Sequence, residues 1–163
     1  MVTEPLVLPG DLDGYPGAPF PPEPVMSAVA GLRRAAGWHI APSVTETVTL
    51  DHDGAGVLQL RSLYVTAVTS VKDVSTDTPT DLTGWRWSQD GMVSGCFPCG
   101  FRSVEVTFTH GYAECPPDLL PVVASRTQRR VMQESVGARS VTYAADSGPV
   151  ESAVEPYRLA PRP

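Results

Sequence analysis

The chain is poor in several residue types, and each shortage limits what the protein can be. Lysine and isoleucine occur once each, as Lys72 and Ile40, and asparagine is absent. No hydrophobic run approaches the roughly 18 to 20 residues that a membrane-spanning helix needs, and the first residues lack the basic and apolar regions of a signal peptide. We therefore expect a protein without a membrane partner. We expect it to be made in the cytoplasm, or to be packed into a larger assembly that forms there.

Positive charge is also scarce. The chain has 12 Lys and Arg residues against 18 Asp and Glu residues, which gives a formal net charge of -6. A protein that grips nucleic acid by its phosphates gains affinity from basic side chains that displace counterions, so this balance argues against such a binder. It does not exclude contact with DNA that must not stick.

Proline and glycine, by contrast, are abundant, with 17 and 14 copies. They are dense in residues 1–22, where fixed φ angles and missing backbone donors exclude a long helix or a central strand, so we expect an extended arm. Residues 23–37 then predict a helix, because apolar side chains recur at three- and four-residue steps between a proline and a glycine. These side chains are Val25, Met26, Val29, Leu32 and Ala36.

The hydrophobic period changes in the middle of the chain. From Val44 to Leu50, every second residue faces the same way and β-branched side chains dominate, which indicates a strand. The strands predicted in this way cover residues 44–51, 57–62, 64–74 and 103–112. Residues 75–81 are predicted to form a loop. Residues 82–95 are predicted to form a hairpin with Trp85 and Trp87 on one face. The pattern predicts an antiparallel sheet or small sandwich of about five or six strands.

A second helix is predicted after the sheet. Asp118 can cap it, and Pro121 lies in its first turn, where a missing N–H is harmless. Arg126, Arg129 and Arg130 lie nearer its C-terminus, where positive charge is favourable to the helix dipole.

The expected fold class is therefore α+β, with an N-terminal helix, the antiparallel strands and a C-terminal helix. We expect three segments: an extended arm at 1–22, one domain at 23–137, and a short strand with a proline-containing tail at 138–163.

Cys96, Cys99, His110 and Cys115 form the sharpest chemical pattern. An odd number of cysteines without a secretory context argues against a disulfide framework. Four such ligands are the number that tetrahedral zinc takes, but a strand at about 3.3 Å per residue separates Cys99 from His110. A small zinc-binding interaction module is the alternative hypothesis, and three unrelated cysteines without metal or cofactor are the simpler interpretation.

Catalytic motifs are missing from the sequence. His39, His52 and His110 could each act as a base, yet no Gly-x-Ser-x-Gly elbow, cysteine-nucleophile signature or phosphate-binding glycine loop accompanies them. A small hydrolase would need a partner for one of these histidines in a cleft. We therefore expect a protein that is not an enzyme.

Four features follow one another in a particular order. An aromatic end of the first helix precedes a Thr/Val-rich strand, a strand ending in His-Gly-Tyr follows, and a Pro-x-Asp-Leu segment then opens the last helix. The residues concerned are Trp38, His39, Pro42, Val104 to Tyr112, Pro117, Asp118, Leu119, Ala124 and Arg126. This order, over residues 11–145, resembles the head-to-tail connector proteins (adaptor or head completion proteins) of long-tailed bacteriophages, most of all those of actinobacterial phages.

The resemblance implies a virion structural protein in the head-tail connector region of a particle assembled in the host bacterial cytoplasm. Such a protein forms a ring of its own copies, twelve-fold like the portal, between the portal protein and a tail-side or head-tail stopper protein. Packaged DNA passes through it without sequence-specific binding. The partner interface is then expected at Tyr157, Arg158 and Leu159 of the tail, and at Arg126, Arg129 and Arg130 of the last helix.

Overall fold

The computed structural model describes residues 5–135 and 152–159, except for the side chains of residues 130–135. The chain divides into two compact units. Unit 1 consists of Met1–Pro42 and Glu114–Pro163, and unit 2 consists of Ser43–Ala113. Within the described residues, no helix is long and apolar enough to cross a membrane.

Unit 2 contains seven antiparallel strands in two sheets. The strands are β1 (Val44–His52), β2 (Val57–Gln59), β3 (Val65–Asp73), β4 (Thr80–Asp81), β5 (Arg86–Trp87), β6 (Met92–Ser94) and β7 (Gly100–His110). The larger sheet has the order β1-β7-β3-β4, and the smaller has the order β2-β6-β5. Together with the helices described in unit 1 they confirm the predicted α+β class.

Period-two alternation gives the larger sheet its two faces. On β7, Val104, Val106 and Phe108 are fully buried. Thr107 and Thr109, on either side of Phe108, belong to the other face, where their hydroxyls hydrogen-bond those of threonines on β1 at 2.9 and 2.7 Å. Cross-strand pairs of this kind fix the register of the two strands.

The core of unit 2 joins residues from both sheets. Its buried members are Leu58, Leu60, Val65, Val71, Val93, Phe97, Val104, Val106 and Phe108. Trp85 packs against this core, while its indole N–H donates to the Leu82 carbonyl at 3.0 Å. The unit therefore has a hydrophobic core of its own.

The predicted hairpin is confirmed. β5 and β6 pair in antiparallel fashion, and Gly91 takes a φ of +83° in the turn between them. The segment predicted as a loop, residues 75–81, differs in containing β4, which pairs with Lys72 and Asp73. Two residues are too few to show a period, so the sequence pattern does not reveal a strand of this length.

Unit 1 is built around helices α1 (Pro22–Ala36) and α2 (Leu120–Ser135), which pack against each other. Within the described residues, three short 3-10 turns accompany them, at Pro9–Leu12, Pro117–Leu119 and Glu155–Tyr157. α1 ends as predicted at Gly37, whose φ is +84° and whose N–H donates to the Arg33 carbonyl at 2.8 Å. Glycine adopts this left-handed conformation without the steric cost of a side chain.

Three local details differ from the sequence expectation. Met26, predicted on the apolar side of α1, is 65% exposed. Asp118 lies inside the 3-10 turn before α2, and its carboxylate accepts a hydrogen bond from Tyr157. The described part of the predicted arm is folded, since it contains the turn Pro9–Leu12 and buries Leu12 and Phe20.

The C-terminal segment is described only over residues 152–159. The short strand predicted within 138–163 otherwise lies outside the described residues. The segment boundaries at 22 and 137 stay predictions.

Candidate functional site

The last described residues are attached to unit 1 by backbone and side-chain hydrogen bonds. The indole Nε1 of Trp38 donates to the Tyr157 carbonyl at 2.7 Å. The Leu159 amide donates to the Ala36 carbonyl at 2.9 Å, and the Leu159 side chain lies against Gly37. These contacts satisfy the carbonyl of Ala36, one of the last four of α1, which lack partners inside a helix.

A second connection links this segment to the start of α2. The Tyr157 hydroxyl donates to the carboxylate of Asp118, with distances of 2.9 and 3.0 Å to its two oxygens. Val154, on the preceding turn, is almost fully buried. We call residues 152–159, with these contacts, the C-terminal anchor.

Arg158 is oriented differently from its two neighbours. Its Nη1 lies 2.9 Å from Oε1 of Glu155, and both side chains are well exposed, at 43% and 59%. An exposed ion pair of this kind contributes little to stability. Of the three tail residues predicted at an interface, Tyr157 and Leu159 therefore contact their own unit, and Arg158 faces solvent.

The turn after α1 depends on a residue to which the sequence analysis gave no role. The guanidinium of Arg33 donates from Nε to the His39 carbonyl at 2.9 Å and from Nη2 to the Ala41 carbonyl at 2.5 Å. Between these carbonyls lies Ile40, which is buried and has a φ of +68°, a conformation that β-branched residues rarely adopt. Arg33 thus holds a strained turn in place immediately after Trp38.

Partial burial acts on the charge of Arg33. It lowers the pKa of Arg33, and the nearby Cys115 side chain opposes this decrease. An arginine nevertheless remains charged at any pH where the protein is handled. Both carbonyls therefore receive charge-assisted hydrogen bonds.

The arginines predicted at an interface on α2 have different environments. Arg126 is half-buried, and its Nη1 lies 3.9 Å from the position that a Cβ on Gly31 of α1 would occupy. Arg129 is exposed. Arg130 lies within α2, and its side chain is outside the described part of the structure.

The four predicted zinc ligands do not form a metal site. Cys96 and Cys99 are both exposed. His110 is buried, with Nε2 3.2 Å from Oε1 of Glu46. No group of three or more His, Cys, Asp or Glu side chains that could hold an ion occurs among residues 5–135 and 152–159. The geometry of the described chain therefore gives the zinc hypothesis no support.

Protonation of the Cys115 thiol also disfavours metal binding. Burial raises the pKa of the Cys115 thiol to about 11, with Asp118 and Asp11 adding to the rise and Arg33 opposing it. Metal ligation needs a thiolate, which is scarce at neutral pH when the pKa is this high. His110 does not add to this effect, because burial lowers its pKa and a neutral imidazole is the form that binds metal.

Comparison with solved structures identifies chains of the same architecture. One belongs to the neck of a native GTA particle computed with C12 symmetry: the TM-score is 0.63 at 20% identity, over 86% of this chain and 82% of that one. This chain has the fold of a neck component. A chain from the neck of an empty GTA particle computed with C6 symmetry has a TM-score of 0.59 at the same identity. The match covers 86% of this chain and 78% of that one.

A third chain comes from the virion of a native gene transfer agent (GTA) particle and has a TM-score of 0.59 at 20% identity. The match covers 86% of this chain and 77% of that one. No protein-family profile and no curated protein matches the sequence. At this identity the structural likeness establishes the fold.

One residue that the sequence analysis missed stands out on the surface of unit 2. Phe101, at the start of β7, is 92% exposed. The sequence signal for it is an aromatic residue placed directly after Gly100 in a turn-rich stretch.

Proposed function

We propose that the chain is a non-enzymatic structural protein of the neck of a phage-like particle. In this role it is a head-to-tail adaptor that forms a twelve-fold ring between the portal and the tail. The observation that carries the proposal is the likeness to a neck component over 86% of the chain with a TM-score of 0.63. The order of segments in the sequence, which resembles that of phage connector proteins, supports it independently.

The charge of unit 2 suits a ring through which DNA passes. Ser43–Ala113 has twice as many acidic as basic residues. A lumen that attracted phosphates would retain the genome, because each phosphate contact with Lys or Arg adds affinity. We place the surface that lines the channel on this unit, with DNA passing without sequence-specific contacts.

The C-terminal anchor suits an interface with the portal or an adjacent subunit. Tyr157 and Leu159 fix the backbone of the segment on unit 1, and Arg158 between them points outward. An exposed arginine on a backbone held by these hydrogen bonds suits binding to an acidic surface, because less conformational freedom is lost on association. Arg129, also exposed, is a second candidate contact, and Arg126 and Arg130 complete the proposed basic surface.

Removal of the gene from the particle-encoding genome tests the adaptor role. We expect DNA-filled heads and free tails that do not join, with joining restored when the wild-type chain is supplied in trans. A twelve-fold ring of this 17.4 kDa chain weighs about 209 kDa, which native mass spectrometry of isolated necks can detect. Normal tailed particles in the absence of the gene would refute the function.

The tail contact has its own test. Deletion of residues 147–163 should stop assembly, and Arg158→Glu should reproduce part of that defect without the loss of the anchor. Arg86→Glu is the matched control, since Arg86 is an exposed arginine of unit 2 outside the predicted interface. Unchanged particle yield after the deletion would contradict the contact while leaving the adaptor role intact.

A further inference from the structure

Phe101 differs from the other exposed apolar residues in the degree of its exposure. It is 92% accessible, whereas the remaining large exposed hydrophobics of the described chain range from 39% to 65%. These are Leu8, Met26, Val57, Trp87 and Met92. Single exposed apolar residues are common, so exposure alone does not indicate an interface.

The backbone that carries Phe101 is fixed from within unit 2. β1 and β7 pair at Leu50–Val104 and next at His52–Gly100, so three residues of β7 lie opposite one of β1. Such a bulge directs a side chain out of the sheet. Arg102, with a φ of +49°, donates its amide to Oδ1 of Asp51 at 2.7 Å.

A buried hydroxyl secures the same bulge. Ser103 is fully buried and donates to the Pro98 carbonyl at 2.8 Å. Phe101 is thus presented on a preorganised loop, which reduces the entropy lost when an aromatic anchor binds.

Acidic side chains accompany Phe101 at this end of unit 2. We call residues 51–56 and 95–103 the Phe101 tip. The Gly95 amide donates to the Gly56 carbonyl at 3.0 Å, which joins the two stretches. Asp53 is exposed, and only its Oδ1 is used, as the acceptor of the Ala55 amide at 2.8 Å.

Helix α1 presents a surface of complementary character on unit 1. Met26, Ala30 and Arg34 are exposed and recur every four residues, so they follow one another along one side of the helix. The buried residues of α1 lie on the opposite side. With Glu23 at its N-terminal end, we call these four residues the outer face of α1.

We infer that the Phe101 tip of one copy docks on the outer face of α1 of the next copy in the ring. Phe101 contacts Met26 and Ala30, and methionine sulfur packs well against an aromatic edge. Asp53 approaches Arg34, and Arg102 approaches Glu23, so the charges at both ends of the face are complementary. This inference rests on the proposed ring function.

The two surfaces are different and belong to the same chain. An interface of this heterologous type repeats from copy to copy and closes into a ring when the rotation allows it. The sequence pattern assigned Met26 to the apolar side of α1, yet its side chain is exposed. In this interface Met26 is a residue that Phe101 of the adjacent copy contacts.

Single substitutions in the full-length chain test the interface. We expect Phe101→Ala, Met26→Asp and Arg34→Asp each to lower the association constant by about 10- to 100-fold, the range for truncation of an anchor residue. Met92→Ala and Arg86→Asp are matched controls on exposed residues of the small sheet and should have no effect. Mass measurement by light scattering and the number of copies per isolated neck are the two readouts.

A mixture of two defective variants provides the sharper test. Phe101→Ala retains a working α1 face, and Met26→Asp retains a working Phe101 tip. An equimolar mixture should therefore form a 1:1 dimer that does not grow, at concentrations where each variant alone stays monomeric. Urea unfolding of each variant must match wild type, which exposed positions allow.

The outcomes separate the inference from the function on which it rests. A wild-type ring that persists in Phe101→Ala overturns the inference alone. Loss of tail joining by Phe101→Ala with the ring intact also overturns it, because the tip then binds another neck protein. A wild-type chain that is monomeric in solution and missing from necks overturns the ring function, and this inference with it.

Discussion

Replacement of Trp38 by phenylalanine should release the C-terminal anchor. The change removes the indole N–H that donates to the Tyr157 carbonyl at 2.7 Å and leaves that acceptor without its donor. Loss of a buried hydrogen bond with one partner left behind costs about 1 to 3 kcal/mol. The ratio of released to docked anchor should therefore rise by about 5- to 140-fold.

Trypsin provides the assay, because it cleaves after Arg158. The amide of the next residue, Leu159, donates to the Ala36 carbonyl at 2.9 Å. The anchor must therefore detach before the Arg158–Leu159 peptide bond can enter the protease active site. When opening and closing are fast, the cleavage rate follows the open population. We expect mass spectrometry to detect the 159–163 peptide correspondingly faster from Trp38→Phe.

Two controls separate local release from general destabilisation. Cleavage after Lys72, inside β3, reports the unfolding of unit 2 and should not accelerate to the same extent. Trp87→Phe alters an exposed tryptophan outside unit 1 and should leave release of the 159–163 peptide unchanged. An unchanged rate in Trp38→Phe would show that this hydrogen bond does not hold the anchor.

Three further predictions concern stability and thiol reactivity. Arg33→Met removes two charge-assisted hydrogen bonds at the turn after α1. The free energy of unfolding, measured in urea, should therefore fall by about 2 to 4 kcal/mol. A fall below about 0.5 kcal/mol would contradict the role of Arg33 in holding the turn. Because burial lowers the pKa of His110, the unfolded chain binds a proton below about pH 6.5 that the folded chain does not. Stability should therefore fall from pH 7.5 to pH 5.5, and His110→Gln should show a smaller fall; equal falls would exclude this histidine as a cause. With a thiol pKa of about 11, Cys115 should react with iodoacetamide at pH 8 far more slowly than the exposed Cys96 and Cys99, and equal rates would contradict its burial.

The strands show most clearly what sequence pattern alone can predict. Alternation of apolar and threonine residues from Val44 to Leu50 locates β1, because a pleated strand with one buried face requires a period of two. The hairpin around Gly91 follows from turn chemistry in the same way, since its φ of +83° favours glycine. These signals are local, and β4, with two residues, is too short to produce one.

The candidate surfaces were less predictable. The sequence brought Cys96, Cys99, His110 and Cys115 together by ligand type, and the described structure forms no metal cluster from them. Tyr157 was predicted at a partner interface, whereas its contacts within the chain, Trp38 and Asp118, lie 119 and 39 residues away along the sequence. No periodicity connects residues at such separations.

The sequence by itself determined the α+β class, the two helices, the main strands and the order of segments that resembles phage connectors. These properties follow from local hydrophobic period, turn residues and caps, each of which acts over a few positions. Only the tertiary structure decided that Arg33 holds the turn after α1, that Trp38 fixes the C-terminal anchor, and that a bulge exposes Phe101. Those features depend on contacts between distant segments and on which side chains burial leaves outside, and both exist only once the chain has folded.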